Sequence, residues 1–498
     1  MLVFVRNLCK NMAEKIFIMR IINRIYYIVF NLTLSLTILQ YSCPIVSYLT
    51  KVRFDYLGML ILGIILMINV FTIGIKPFFM KMINILKPAK NMVLIILFYF
   101  VIDSINLIYA QDISFVIDKY LIWAKIGFIC IYMFSYMCLL ETNFARDLSN
   151  DIILNIGITG SLSSFISLIG YYSGEFTYTK GILTPISNQN VFAISILIGY
   201  VSLTYYILLN NNLRKINKIV LLSLISWINI SVIYLSGSRR TIILLFVLSA
   251  LFLFYLLYKA IMMYKNFRSI LFSIICLLLV IVLIISHINF FNSFTSSKFA
   301  DSRLNIADSE IKPANNQKIV GAKEYVDTIS EGTGLSTRII IWKASLNWFS
   351  SMTTTQKIFG GGASYQTDIF NDLEHPINSE VVTHYEQRLE PNVKQWMWPH
   401  NFIFDELLTG GIFKLLIVIT TLVLMLAYVI ILFRQDINKG IIVLILYFIL
   451  FSTLMMSAKF GLFGDRNSWL IVSYHIIALY TTNKEGRVDV DHDTKVVE

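Results

Sequence analysis

Runs of 18 or more apolar residues recur along almost the whole of this 498-residue chain. Each is long enough to cross a hydrocarbon layer roughly 30 Å thick. Inside lipid, every backbone N–H and C=O must be paired within its own helix or around a closed barrel. Unbroken apolar runs of this length read as helices, not as the alternating strands of a barrel. The chain is 57% apolar and only 14% charged, against about 25% charged residues in soluble domains. The sequence therefore predicts an all-α polytopic membrane protein.

Twelve spans are predicted, at roughly 25–49, 54–75, 91–110, 120–140, 151–172, 190–209, 216–235, 241–262, 269–291, 401–433, 440–458 and 466–482. The 401–433 segment exceeds one bilayer crossing, and the spacing predicts an opening turn broken at Gly410-Gly411. One polar stretch interrupts the series. The organisation is nine spans over 1–291, a large loop over 292–399, three spans over 400–483 and a polar tail over 484–498, which the composition predicts to be disordered.

The net charge of +11 does not point to nucleic acid, because the cations fall where membrane topology places them. With the N-terminus in the cytoplasm, Arg6, Lys10, Lys15, Arg20 and Arg24 lie inside. So do Lys76, Lys81, Lys87 and Lys90, the Arg214/Lys215/Lys218 and Lys259/Lys265/Arg268 connectors, Arg434 and Lys439. The outside connectors carry far fewer cations. Both termini are then cytoplasmic and the large loop lies on the periplasmic or extracellular side. The first apolar stretch outruns a signal-peptide core, and no small-residue cleavage site follows it, so it reads as an uncleaved first span. None of the five cysteines lies in the loop and none has metal-ligand spacing, which excludes a disulfide-stapled loop.

The loop is not uniform. Residues 296–334 are rich in Ser, Asn, Gly, Lys and Asp and read as mobile. Residues 336–350 read as a helix capped by Ser336 or Thr337, with Ile339, Trp342, Leu346 and Phe349 along one stripe and its tryptophans suited to a membrane interface. Gly360-Gly361-Gly362 reads as a tight turn.

Cations on the outer side run against the topology rule and so carry information. Arg239 and Arg240 sit at the outer mouth of a span. A guanidinium there can grip phosphate oxygens two at a time, or it can simply snorkel to the interface. Arg338 opens the loop helix, free to hold phosphate or sugar, or to pair with a loop carboxylate. His400 follows Pro399 where the loop re-enters the membrane. It reads as a general base or as a hydrogen-bonding residue at a helix start. Asp405 and Glu406 follow one turn later, where either could orient its ring. Asp465-Arg466-Asn467 forms a further polar cluster at an outer helix end, binding substrate or capping the helix. Asp103 lies inside the third span and must face protein or water. No nucleotide-binding loop and no HExxH sequence is present. A sugar donor would accordingly be a lipid-linked phosphate on the outer side, where nucleotide-sugars are absent.

Four segments in order complete the picture: Thr184-Pro-Ile-Ser-Asn-Gln-Asn-Val-Phe-Ala193, Ser236-Gly-Ser-Arg-Arg240, Arg338 to Trp342 followed by Ile358-Phe-Gly-Gly-Gly362, and Pro399-His-Asn401 with Glu406 and Gly410-Gly411. Together, over roughly 180–415, they resemble the O-antigen polymerase and O-antigen ligase superfamily of bacterial surface-polysaccharide assembly. The resemblance implies a fold like that of the C-type membrane glycosyltransferases. It also implies a metal- and cofactor-free transfer between undecaprenyl-diphosphate-linked glycans in the cytoplasmic membrane, with inversion at the anomeric carbon. The arginines that engage the diphosphate map onto Arg239 and Arg338, and the histidine that activates the acceptor hydroxyl maps onto His400. Asn188 and Asn190 would shape the cavity. Beside what the resemblance implies, Arg240, Asn401, Glu406, Asp465 and Arg466 are candidate substrate-binding residues. The Arg239-Arg240 doublet replaces the family's single arginine, which leaves open which of the two acts.

Three activities compete. A polymerase would join repeat units into O antigen or capsule, in company with a chain-length regulator and a flippase. A ligase or oligosaccharyltransferase of the same superfamily would move a finished glycan to lipid A core or protein. A transporter or flippase would show two similar halves with interrupted helices, and no such halves are visible.

Overall fold

The computed structural model describes residues 54–106, 145–173, 189–210, 213–259, 335–362, 399–457 and 466–494, with parts of 21–35 and positions 117, 134, 183, 365 and 462. Among these residues every element is a helix: α1 (Phe54–Ile73), α2 (Ile75–Leu86), α3 (Lys90–Asn106), α4 (Ala145–Tyr172), α5 (Gln189–Leu209), α6 (Lys215–Leu235), α7 (Arg239–Lys259), α8 (Leu335–Ser351), α9 (Thr354–Phe359), α10 (Phe402–Gln435), α11 (Ile437–Ser457) and α12 (Arg466–Thr494). A short 3₁₀ turn, Lys87–Ala89, joins α2 to α3. Among the described residues, six stretches are long and apolar enough to cross a membrane: Ile75–Asn106, Asn150–Tyr172, Asn190–Leu209, Ile216–Leu235, Phe402–Gln435 and Ile437–Met455. This is a multi-pass membrane protein. The spans expected at 120–140 and 269–291, most of that at 25–49, and the loop segments 292–334 and 366–398 lie outside the described residues.

The chain divides into two compact units. In the first, Met1–Leu62 with Asn150–Gln317, α4 and α5 meet glycine against glycine at one point. A Cβ on Gly160 would lie 2.6 Å from the Gly199 Cα. Such small residues let lipid-embedded helices approach closely, and close packing replaces the missing hydrophobic drive. Polar side chains then link helices inside the apolar layer. Ser164 donates to the Asn229 carboxamide oxygen of α6 at 2.7 Å, and the Asn229 amide donates to Ser161 at 3.1 Å. The helical positions between 21 and 35 run parallel to α4, because their partners advance together: Tyr27 with Asp151, Asn31 with Asn155, and Ser35 with Thr159. Parallel neighbours agree with the expected topology, in which both enter the membrane from the same side.

The second unit is Gly63–Ser149 with Lys318–Glu498. Here α3 and α10 run antiparallel. Tyr428 reaches the Met92 backbone at one end, and Phe98 meets Phe413 edge-on at 5.9 Å towards the other. The α11 and α12 helices pack beside them. Gln435 and Asn483 hydrogen-bond at the first end, and Phe100 stacks on Trp469 at the second. The turn at the first end is flanked by Arg434 and Lys439. The second end receives the loop.

α10 is long but broken. Gly411 has φ 69 and ψ −170 inside an otherwise helical run, which separates a short opening segment from a stretch of about 36 Å that suits one crossing. The break expected at Gly410-Gly411 is present.

The structure differs from expectation at the start of α8, in the tail and in one connector, and it adds which face of α8 meets protein. The buried face of α8 is Ile341, Ala344, Ser345 and Trp348, followed by Met352 beyond the helix, whereas Ile339 and Leu346 of the expected stripe are 40% and 48% exposed. In a lipid setting an apolar residue is as stable against acyl chains as against protein, so hydrophobicity alone does not select the packed face. Ser336 and Thr337 lie within the first turn of α8, which begins at Leu335. The tail from Lys484 continues α12 as far as Thr494. Once a helix is nucleated, each added residue gains one hydrogen bond, so extension needs no new burial. The Lys76–Lys90 connector is itself largely helical, as α2 and its 3₁₀ turn.

Candidate functional site

The first unit joins two of the sequence segments. α6 ends at Ser236, Gly237 turns the chain with φ 65, and α7 begins at Arg239. Leu183 N–H donates to the Leu235 carbonyl at 2.9 Å. The buried Ser238 hydroxyl donates to the Asn190 carboxamide oxygen at 2.8 Å and lies 2.9 Å from the Thr241 hydroxyl. Ser236, Ser238 and Thr241 are almost wholly buried. Thus Asn190, at the start of α5, supports the turn that delivers Arg239 and Arg240 to the first turn of a membrane helix. The unsatisfied N–H groups and positive dipole end of such a turn favour an anion. Arg240 is partly buried. The Arg239 side chain and Asn188 lie outside what the structure describes.

The second unit builds a more detailed arrangement at its loop end. Pro399 is buried, and Asn401 caps α10 by accepting from Ile403 N–H at 2.8 Å. Between them His400 has φ 54, the one positive φ outside glycine among the described residues. That left-handed conformation costs roughly 1–2 kcal/mol for a residue bearing a Cβ. It persists because both flanks are held. Trp342 of α8 donates its indole N–H to the Pro399 carbonyl at 2.9 Å and packs against Phe404 at 5.8 Å between ring centroids. His400 is partly exposed. A partly exposed histidine on a strained, doubly anchored backbone suits a positioned base. Asn401→Ala removes one anchor and is expected to lower stability by about 1 kcal/mol, read as a shift in thermal midpoint in detergent; an unchanged midpoint would show that the cap does not hold this segment.

Below the histidine, the break in α10 is clasped from outside. The break leaves the Leu408 and Thr409 carbonyls without the helical donors that would follow. Gly361 and Gly362 supply them, donating at 2.9 and 3.2 Å. The approach is so close that a Cβ on Gly360 would lie 2.2 Å from the Thr409 carbonyl oxygen. α9, capped reciprocally by Thr353 and Gln356, carries these glycines into place.

Next to the clasp lies a buried ionic cluster. Lys414, from the far side of the break, pairs with Glu406 at 2.9 Å and with Asp103 of α3. Tyr99 donates to Glu406 at 3.1 Å, and Leu462 N–H donates to the same oxygen at 3.0 Å. The Lys414 ammonium also lies 4.9 Å from the centre of the Tyr99 ring. Asp103, Glu406 and Lys414 are essentially inaccessible to solvent. Asp103, expected to face protein or water, faces protein and pairs with Lys414. A cation inside an apolar helix is a signal that the sequence does carry, and Lys414 is one. Tyr99 carried no such signal.

Of the other candidates, Arg338 lies in the first turn of α8 and Arg466 opens α12, their side chains outside the described residues, as is Asp465. Asp405 is buried. Among the described residues no group of three His, Cys, Asp or Glu side chains is arranged to hold a metal ion.

No curated protein matches the chain. Residues 224–419 match a family model described as O-antigen ligase. The match begins within α6 and ends within α10, and so takes in Arg239, Arg240, Arg338, His400, Asn401, Glu406 and Lys414. Over these residues, somewhat less than half of its length, the chain is similar to the O-antigen ligase family.

Proposed function

We propose that this protein is a membrane glycosyltransferase that joins undecaprenyl-diphosphate-linked repeat units into O antigen or capsular polysaccharide. It works at the outer face of the cytoplasmic membrane, with both termini inside. The observation that carries this reading is His400, held in a left-handed conformation at the loop end of the bundle by the Trp342–Pro399 bond and the Asn401 cap. A hydroxyl of the acceptor sugar gives its proton to the His400 imidazole as its oxygen attacks the donor's anomeric carbon. The bond from that carbon to the diphosphate oxygen breaks, and undecaprenyl diphosphate leaves. Arg239 and Arg338 stabilise the charge developing on the diphosphate, a role that preorganised guanidinium groups perform without reorganisation. Asn190 acts indirectly, through the turn before Arg239.

A second reading, ligation of a finished glycan to lipid A core or protein, is favoured by the description of the matching family model. Purified protein given only its lipid-linked repeat unit separates the two. A ladder of lengthened lipid-linked glycans is expected. Transfer that appears only when lipid A core or a protein acceptor is added would establish the ligase reading, and no transfer to any of these would remove both.

A further inference from the structure

The break in α10 creates a mechanical problem at the proposed base. The opening segment of α10 carries His400 at one end and two consecutive glycines at the other. Gly410 and Gly411 resist rotation less than any other residue pair, so this segment sits on a hinge. Nine helical residues make a lever of about 13 Å. A swing of about 10° at the glycines would carry the His400 end by about 2 Å, well beyond the roughly 0.5 Å tolerance of a working site.

The ionic cluster spans this hinge. Glu406 belongs to the lever and Lys414 to the span beyond the break, and the two meet at 2.9 Å. Lys414 also engages Asp103, while Tyr99 and the Leu462 N–H hold the other Glu406 oxygen. The lever is thereby tied to its own span, to α3 and to the segment before α12. Gly410 makes room for the tie, since a Cβ there would lie 2.1 Å from the Lys414 Cδ. Burying one ammonium and two carboxylates is a poor route to stability, because apolar side chains of similar volume commonly do as well or better. What such a cluster offers, and apolar packing does not, is a single preferred geometry.

Resting on the reading of His400 as the base, we propose that Lys414 is a positioning residue for the transfer reaction: by bridging Glu406 and Asp103 across the glycine break it fixes the angle of the lever that presents His400. It touches no substrate. Its contribution is to orientation in the transition state, so its loss falls on kcat and leaves KM for the lipid-linked glycan nearly unchanged.

The test compares wild type, Lys414→Met and the charge-free triple variant Asp103→Asn/Glu406→Gln/Lys414→Met, each as the full-length protein in detergent or nanodiscs. Lys414→Met leaves two carboxylates without their cation and is expected to fold poorly; the triple variant retains hydrogen-bonding groups without buried charge and is expected to fold. In the triple variant kcat is expected to fall about 100-fold with KM within about twofold. Amide exchange is expected to speed up over residues 401–410 and not in α11. Wild-type kcat in the folded triple variant would overturn the proposal. So would faster exchange spread through α3, α11 and α12, which marks a merely structural role, or a triple variant that does not fold. His400→Ala is run alongside: if it transfers glycan normally, the assignment of the base fails, while exchange over 401–410 still reports whether the cluster holds the lever.

Discussion

Replacing His400 by alanine is expected to lower the rate of glycan transfer by about 10²–10⁴-fold, the range that a positioned general base contributes. The side chain is partly exposed at the loop end of the bundle, and its removal opens no core cavity, so membrane insertion and yield should remain normal. The measurement is initial rate of transfer with purified protein and lipid-linked repeat unit. A rate within threefold of wild type would remove His400 from the chemistry. The backbone supplies an independent check. Alanine at position 400 keeps the Cβ that makes φ 54 costly, whereas glycine does not. His400→Gly is therefore expected to be about 1 kcal/mol more stable than His400→Ala and equally inactive. Equal stability of the two would show that the left-handed backbone is not held in solution.

Gly411→Ala is expected to be the most damaging single methyl group that can be added to the described part of α10. Its φ of 69 and ψ of −170 lie in a region essentially reserved for glycine. The new Cβ would also lie 2.4 Å from the Ile358 carbonyl oxygen and 2.6 Å from the Gly360 nitrogen. Those are backbone atoms at the end of a capped helix and cannot rotate away. Backbone strain of roughly 1–3 kcal/mol combines with loss of the Gly361–Leu408 and Gly362–Thr409 hydrogen bonds at about 1 kcal/mol each. A loss of about 4 kcal/mol is thus expected, seen as a thermal midpoint lowered by many degrees or as failure to accumulate. A midpoint close to wild type would mean that α9 does not clasp the break.

The boundaries of the helices were largely legible. The spans expected at 190–209, 216–235 and 440–458 appear as Gln189–Leu209, Lys215–Leu235 and Ile437–Ser457. The reason is physical. Lipid permits little but helix, so length and apolarity suffice to place a span. The break in α10 was legible too, since only a glycine pair tolerates such geometry inside an apolar run. The faces of the helices were less so. Which residues of α8 meet protein was not legible, because the exposed Ile339 and Leu346 are as apolar as the buried Ile341 and Trp348. The six residues of α9 are too few to carry a helical pattern.

At the candidate site the same division holds. Pro399-His400-Asn401 could be read as the start of a helix, and Asn401 does cap it. That His400 turns left-handed could not, because the conformation depends on Trp342, 58 positions earlier, gripping Pro399. The sequence alone determined that the chain is a helical membrane protein and where spans such as α5, α6 and α11 lie. Only the tertiary structure decided that Lys414 reaches back across the break to Glu406 and over to Asp103, and that the glycines of α9 satisfy the carbonyls this break exposes. Spans follow from a local property, the cost of an unpaired backbone in lipid. Partners of buried charges follow from which helices meet, and nothing local in a sequence records that.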